Sequence, residues 1–155
     1  MSLKPLLLVD VDGVISLFGF PSAERPAGDW TLVDGLPHLL SAEAPRHLLQ
    51  LVREFDLVWC TGWEEKSNEY LPAALGLPGP LPFLSFDRAM SRESSLGHWK
   101  LAAIDAYAGP DRALAWIDDA LDEACERWAA ERAGRTLLVR TQPQSGIQEI
   151  GRAHV

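Results

Sequence analysis

Leu6-Leu7-Leu8-Val9-Asp10-Val11-Asp12-Gly13 is an apolar run that passes directly into two carboxylates and a glycine. A short, wholly apolar run suits a central parallel strand buried on both faces. The strand must then end where the polar residues begin. Asp10 and Asp12 stand on either side of one residue at that end, and Gly13 allows a tight exit. Two carboxylates so close repel each other unless a cation or a proton lies between them. Asp-Gly is also a common turn pair. Taken alone, the stretch therefore reads either as a solvated turn or as a site.

The same pattern recurs down the chain. Residues 55–60 form a second apolar run and end at Thr61-Gly62; residues 113–117 form another and end at Asp118-Asp119. Residues 81–86 and 136–140 complete a set of five expected strands. Helical patterns fall between them at 42–54, 63–75, 98–108 and 122–133, and Gly76 suits the left-handed cap of the second. Strands alternating with helices predict an α/β fold: one Rossmann-like, three-layer domain over residues 1–155 with a parallel five-stranded sheet. Residues 18–37 are rich in Gly, Pro and aromatics and lack a helical period. They read as a loop or small hairpin over the strand ends. In such sheets ligands bind beyond the carboxyl ends of the strands. Three of those ends carry polar residues here.

Composition narrows the function. The chain has 155 residues, 47% of them apolar, which suits one soluble domain with its own core. No apolar run is long enough to cross a bilayer. The start of the chain reads as a first strand and not as a signal peptide, so a cytoplasmic protein without a membrane partner is expected. Cys60 and Cys125 have no CxxC or Cys/His partner nearby and read as buried free thiols. The net charge of −8 argues against a broad grip on a nucleic-acid backbone, although a local basic patch is compatible with it. Oligomeric state is left open.

Carboxylates converging from two strand ends, Asp10/Asp12 and Asp118/Asp119, make a hard oxygen cage suited to Mg2+ and a substrate phosphate. Glu123 lies one turn beyond and is a further candidate. Thr61 and Gly62 open a helix, where a hydroxyl and free N–H groups accept an anion or simply cap. Lys100 either neutralises charge at the site or is a surface lysine. Trp30 and Trp63 offer stacking surfaces near the strand ends, while Trp59, Trp99, Trp116 and Trp128 read as core. His38 and His98 read as surface or capping residues. Arg88, Arg92 and Arg140 are candidates for a phosphate-facing cluster.

In order along the chain, Leu7-Leu8-Val9-Asp10-Val11-Asp12-Gly13-Val14, Leu57-Val58-Trp59-Cys60-Thr61, Lys100 and Ala115-Trp116-Ile117-Asp118-Asp119 resemble the four motifs of the haloacid dehalogenase (HAD) superfamily of phosphohydrolases. That resemblance implies a Mg2+-dependent phosphoric monoester hydrolase. Asp10 would be the nucleophile that forms an aspartyl-phosphate, and Asp12 the general acid/base. Thr61, Gly62, Trp63 and Lys100 would bind the substrate. Asp10, Asp12 through its backbone carbonyl, Asp119 and Asp118 would hold the metal. Members that cleave carbon–halogen bonds lack the second Asp of the first motif, so Asp12 favours phosphate chemistry. Residues 13–41 would be a flap-like region. The intervals where family members insert a large cap are short here, with a plain loop expected over 87–97. A capless site implies a large substrate such as a phosphoprotein or a nucleic-acid end, and the layout is similar to HAD domains of RNA-repair proteins. A phosphotransferase, or a module that keeps the fold without turnover, are the alternatives.

Overall fold

The computed structural model describes residues 3–148. The first two residues and residues 149–155 lie outside them. Strand β1 (Leu6–Val9) is the centre of a parallel sheet. It pairs with β5 (Asp56–Trp59) on one side and β6 (Leu114–Asp118) on the other, and β7 (Thr136–Arg140) pairs with β6. The sheet order is β5-β1-β6-β7. The chain thus leaves β1 for one side and later crosses to the other. Such a reversal opens a crevice at the carboxyl end of β1.

Side-chain alternation along these strands sorts the core into two layers. Leu7, Val9, Leu57, Trp59, Ala115 and Ile117 pack with Ala44 and Leu48 of α1 (Ala44–Leu51) and with Leu71 and Leu75 of α2 (Ser67–Leu75). Leu6, Leu8, Val58, Cys60, Leu114 and Trp116 face the opposite way. They pack with Leu101 and Ile104 of α4 (Leu101–Ala108) and with Cys125 and Trp128 of α5 (Glu123–Glu131). The result is the expected three layers, with no large cap among the described residues. Both cysteines are free and buried, and burial pushes the Cys125 thiol up to about 12.

Two expectations need correction and a third is extended. Among the described residues the parallel sheet has four strands, not five. The run 81–86 touches β5 only through the isolated Trp59–Phe83 bridge, with Trp59 N donating to Pro82 O and Leu84 N donating to Trp59 O. Pro80 and Pro82 lack the N–H groups that a longer ladder needs. The stretch expected as a loop or small hairpin does hold a hairpin, β3 (Gly28–Val33) and β4 (Leu36–Ser41), and β2 (Ser16–Leu17) extends it to an antiparallel sheet of three strands. Asp34-Gly35 turns β3 into β4, both with positive φ (50° and 81°), as a two-residue hairpin requires. Finally, the loop expected over 87–97 contains a short helix, α3 (Arg88–Glu93), whose first turn is capped by the Asp87 carboxylate.

Candidate active site

At the end of β1 the backbone turns sharply. Val11 O accepts bonds from the N–H groups of Val14, Ile15 and Ser16. Gly13 permits this turn at a φ of 82°. It also leaves room for the next motif: a Cβ on Gly13 would stand 2.3 Å from Asp119 Oδ2. The first and fourth motifs therefore meet at a point where only hydrogen fits. Thr141 Oγ1 donates to Gly13 O at 2.7 Å and ties the loop after β7 to the same turn.

Asp10, Lys100 and Asp118 form a buried charge cluster. Lys100 Nζ lies 3.1 Å from Asp10 Oδ1 and 2.6 Å from Asp118 Oδ2, and donates to Cys60 O at 2.9 Å. Lys100 is 3% exposed, and Asp118 1%. An ammonium at such burial is tolerated only with its donors satisfied, as they are here. Burial pushes the Asp10 carboxyl up to about 7; the Lys100 charge opposes that rise and the Asp118 charge adds to it. Burial, and then the charge of Asp118, raise Asp119 as well. Burial pulls the Lys100 ammonium down, but Asp10 and Asp118 outweigh it and hold Lys100 above its ordinary value.

Oxygen atoms of Asp10, Asp118 and Asp119 come within 4.8 Å of one another. That donor set, hard and anionic with a Cβ-free approach at Gly13, fits a divalent cation such as Mg2+. Within it Asp118 has both oxygens engaged, Oδ2 by Lys100 and Oδ1 by the Ala120 N–H at 2.9 Å. Asp12 is exposed, and its carboxylate stands outside the three-carboxylate group. Its Oδ2 accepts from Trp63 Nε1 at 3.1 Å. Glu123 is exposed in the first turn of α5 and is not one of the clustered carboxylates.

Thr61 is buried, and its Oγ1 accepts from Trp63 N at 3.2 Å. Capping at that end is thus real. Having accepted, the hydroxyl still has its own proton to donate. Glu64, three residues on, takes a positive φ of 50°, and its carboxylate accepts from Phe86 N at 3.1 Å. These strand ends border a cleft of about 250 Å3 whose lining includes Asp10, Asp12, Thr61, Gly62, Lys100 and Asp119.

His98 lines the same cleft, and no sequence signal marked it as more than a cap. It is buried; its Nδ1 accepts from Lys100 N at 3.1 Å and its Nε2 faces Ala120 O at 3.2 Å. The first bond fixes the Nε2–H tautomer. His98 thereby joins the Lys100 segment to the turn after Asp119, and α4 begins at Leu101 instead of residue 98. Trp99 also departs from expectation. In sequence it reads as core, but it is 48% exposed at the cleft, unlike Trp59, Trp116 and Trp128. Trp30 is exposed on β3 and does not line the cleft. Trp63 does meet the site, through Asp12 and an edge contact with His38 (centroids 5.1 Å apart). Arg140 turns its guanidinium to Leu121 O, whereas Arg88 and Arg92 share a separate cleft. The three arginines are therefore not one cluster.

Residues 6–150 match the family described as the HAD domain in Swiss Army Knife RNA repair proteins, and the chain belongs to that family. No curated protein matches it.

Proposed function

From that membership we propose that the chain is a Mg2+-dependent phosphohydrolase acting through an aspartyl-phosphate, and that its substrate is a phosphate ester at a nucleic-acid end. Residues 1–155 would act as one domain. One observation carries the reading: a buried lysine sits between two carboxylates at the carboxyl end of the central strands, with a third carboxylate beside them. Such fixed charge costs desolvation energy and is of use where negative charge must be moved or neutralised.

In the proposed reaction Asp10 attacks phosphorus while Asp12 gives a proton to the leaving oxygen. Water then attacks the aspartyl-phosphate, loses its proton to Asp12 and releases inorganic phosphate and free Asp10. Trp63 holds one Asp12 oxygen and leaves the other to carry the proton. Thr61 O–H and the Gly62 N–H bind phosphoryl oxygens, and Lys100 balances the charge beside Asp10. Asp10, Asp119 and the Asp12 backbone carbonyl would hold Mg2+, with Asp118 behind them fixing Lys100 and the turn that carries Asp119. Bound there, Mg2+ supplies Lewis-acid polarisation of a phosphoryl oxygen and favours the ionised form of Asp10.

The family description, and the absence of a large cap, support a nucleic-acid end as the substrate. Hydrolysis of a generic aryl phosphate tests the chemistry. It is expected to be slow, Mg2+-dependent and abolished both by EDTA and by Asp10→Asn. Metal-independent turnover, or turnover that survives in Asp10→Asn, would sink the mechanism.

A further inference from the structure

A second cleft, of about 480 Å3, opens beside the first and shares Gly62 and Trp99 with it. Its volume suits a ligand the size of a nucleotide. Arg88 and Arg92 line it from α3. Both are exposed, and among the described residues neither has a salt-bridge partner. The two acidic residues of the lining are already engaged. Glu64 accepts from Phe86 N, and Asp87 caps α3. The lining is formally neutral, with Glu64 and Asp87 set against the two arginines, but the carboxylates are tied to backbone N–H groups while the guanidinium groups are without salt-bridge partners among the described residues and can turn to a phosphate.

The wall between the clefts is aromatic. The Trp99 ring meets the Phe86 ring edge-on, with centroids 4.9 Å apart, and lies nearly parallel to His98 at 6.3 Å. Ser91 Oγ donates to Trp99 O at 2.8 Å, which fixes α3 against the tryptophan. Yet nearly half of Trp99 stays open to solvent, which a core tryptophan would not. An aromatic face next to paired cations is the combination that grips single-stranded nucleic acid. A phosphopeptide would need the cations but has no general use for the stacking face.

We infer that the cleft between α3 and Trp99 binds the nucleotide next to the terminal phosphate of a single-stranded polynucleotide, with its base on Trp99 and its backbone phosphate on Arg88 and Arg92. This rests on the phosphoesterase reading for the position of the terminal phosphate, and it locates the nucleic-acid grip on a chain that is acidic elsewhere. Guanidinium forks match phosphate oxygens, and stacking accepts any base. The site therefore selects an end that is single-stranded without selecting its sequence.

The probe is a single-stranded hexaribonucleotide carrying 2-aminopurine beside a terminal phosphate, made in a 3′-phosphate and a 5′-phosphate form. Binding is followed by fluorescence in Mg2+ with the Asp10→Asn chain, which is not expected to turn over. One form should bind with quenched fluorescence. Adding Arg88→Ala and Arg92→Ala should raise its Kd at least tenfold and flatten the slope of log K against log salt by about 0.7, for the one backbone phosphate that the two arginines share. Trp99→Ala should abolish the quench, and Trp99→Phe should keep it. Matching thermal melts show that each variant folds. A Kd within twofold of the parent in the arginine variant, or equal competition by a phosphotyrosine hexapeptide, would overturn the inference. Aryl phosphate hydrolysis by the unmodified chain separates the two claims. If it is absent while oligonucleotide binding still depends on Arg88, Arg92 and Trp99, the inference stands and the phosphoesterase reading falls. If hydrolysis is present and binding ignores those three residues, the inference falls alone.

Discussion

The end of β1 and the exposed face of α3 border adjoining clefts and treat charge in opposite ways. Lys100 is buried, with two carboxylates and a carbonyl within 3.1 Å. Arg88 and Arg92 are exposed on α3, without salt-bridge partners among the described residues. A group that stabilises a reacting centre gains from being desolvated and held before the substrate arrives. A group that grips a flexible polyanion gains from staying hydrated until counterions are released on binding. The first arrangement ties function to folding stability. The second separates them.

That contrast is most directly broken by charge removal. Lys100→Met leaves Asp10 and Asp118 buried without their cation, and losing one partner of a buried pair costs about 3–5 kcal/mol. Chemical denaturation should show a loss of that order, with hydrolysis falling about 100-fold or more. Arg88→Ala should move stability by no more than about 0.5 kcal/mol, as exposed substitutions do. Equal losses for the two would erase the distinction.

Gly13→Ala is a more local probe of the buried region. The new methyl group would meet Asp119 Oδ2 at 2.3 Å, at a φ of 82° that disfavours any side chain. Backbone strain of this kind costs about 1–3 kcal/mol. Asp119 must also move, so Mg2+ affinity measured by calorimetry should fall by more than the stability loss alone predicts. Unchanged Mg2+ affinity would remove Asp119 from the metal site.

The smallest expected effect is a pH slope. In the folded chain without a divalent cation, Asp10 titrates at about 7 rather than near its ordinary 3.8. Between those values the native state holds a proton that the unfolded chain has released, so Asp10 makes stability fall as pH rises through this window. The raised Asp119 acts in the same direction. Exposed Asp34 and Glu43, both lowered by hydrogen bonds from their partners, act oppositely but only at and below their ordinary 3.8 and 4.5, and a difference between two variants removes them. In EDTA, Asp10→Asn should gain melting temperature relative to the unmodified chain from pH 4 to pH 7. Added Mg2+ should reverse that trend, because the cation binds the ionised carboxylate. A flat difference in EDTA would show that Asp10 is not desolvated.

The strand ends were the legible part of the molecule. An apolar run that stops at Asp10, Thr61 or Asp118 states both that a strand is buried and where its polar end emerges. The hairpin of β3 and β4 was partly legible, since Asp34-Gly35 is a turn signal, but alternation along its strands is weak and its outer positions are exposed. The five-strand expectation fails at residues 81–86 because Pro80 and Pro82 withhold N–H groups that a ladder needs, a cost that apolar composition does not show. Trp99 is a related case. Large apolar residues are core on average, and only the short helix α3 with its Ser91 contact shows what stands next to this one.

The order and spacing of four motifs, and the residue types at each, reside in the chain itself, because a buried parallel strand needs an apolar run and its end needs a polar one. Those features point to the family and to Asp10 as the centre of the site. Which acid serves which partner was settled only by folding. Lys100 reaches Asp10 and Asp118 across 90 and 18 residues of chain, and Asp119 comes to rest against the bare Cα of Gly13. Arg140 and Arg88, alike in sequence, part company because one finds the Leu121 carbonyl and the other finds an open cleft. Contacts between residues so far apart depend on the packing of whole layers, and no local pattern encodes that packing.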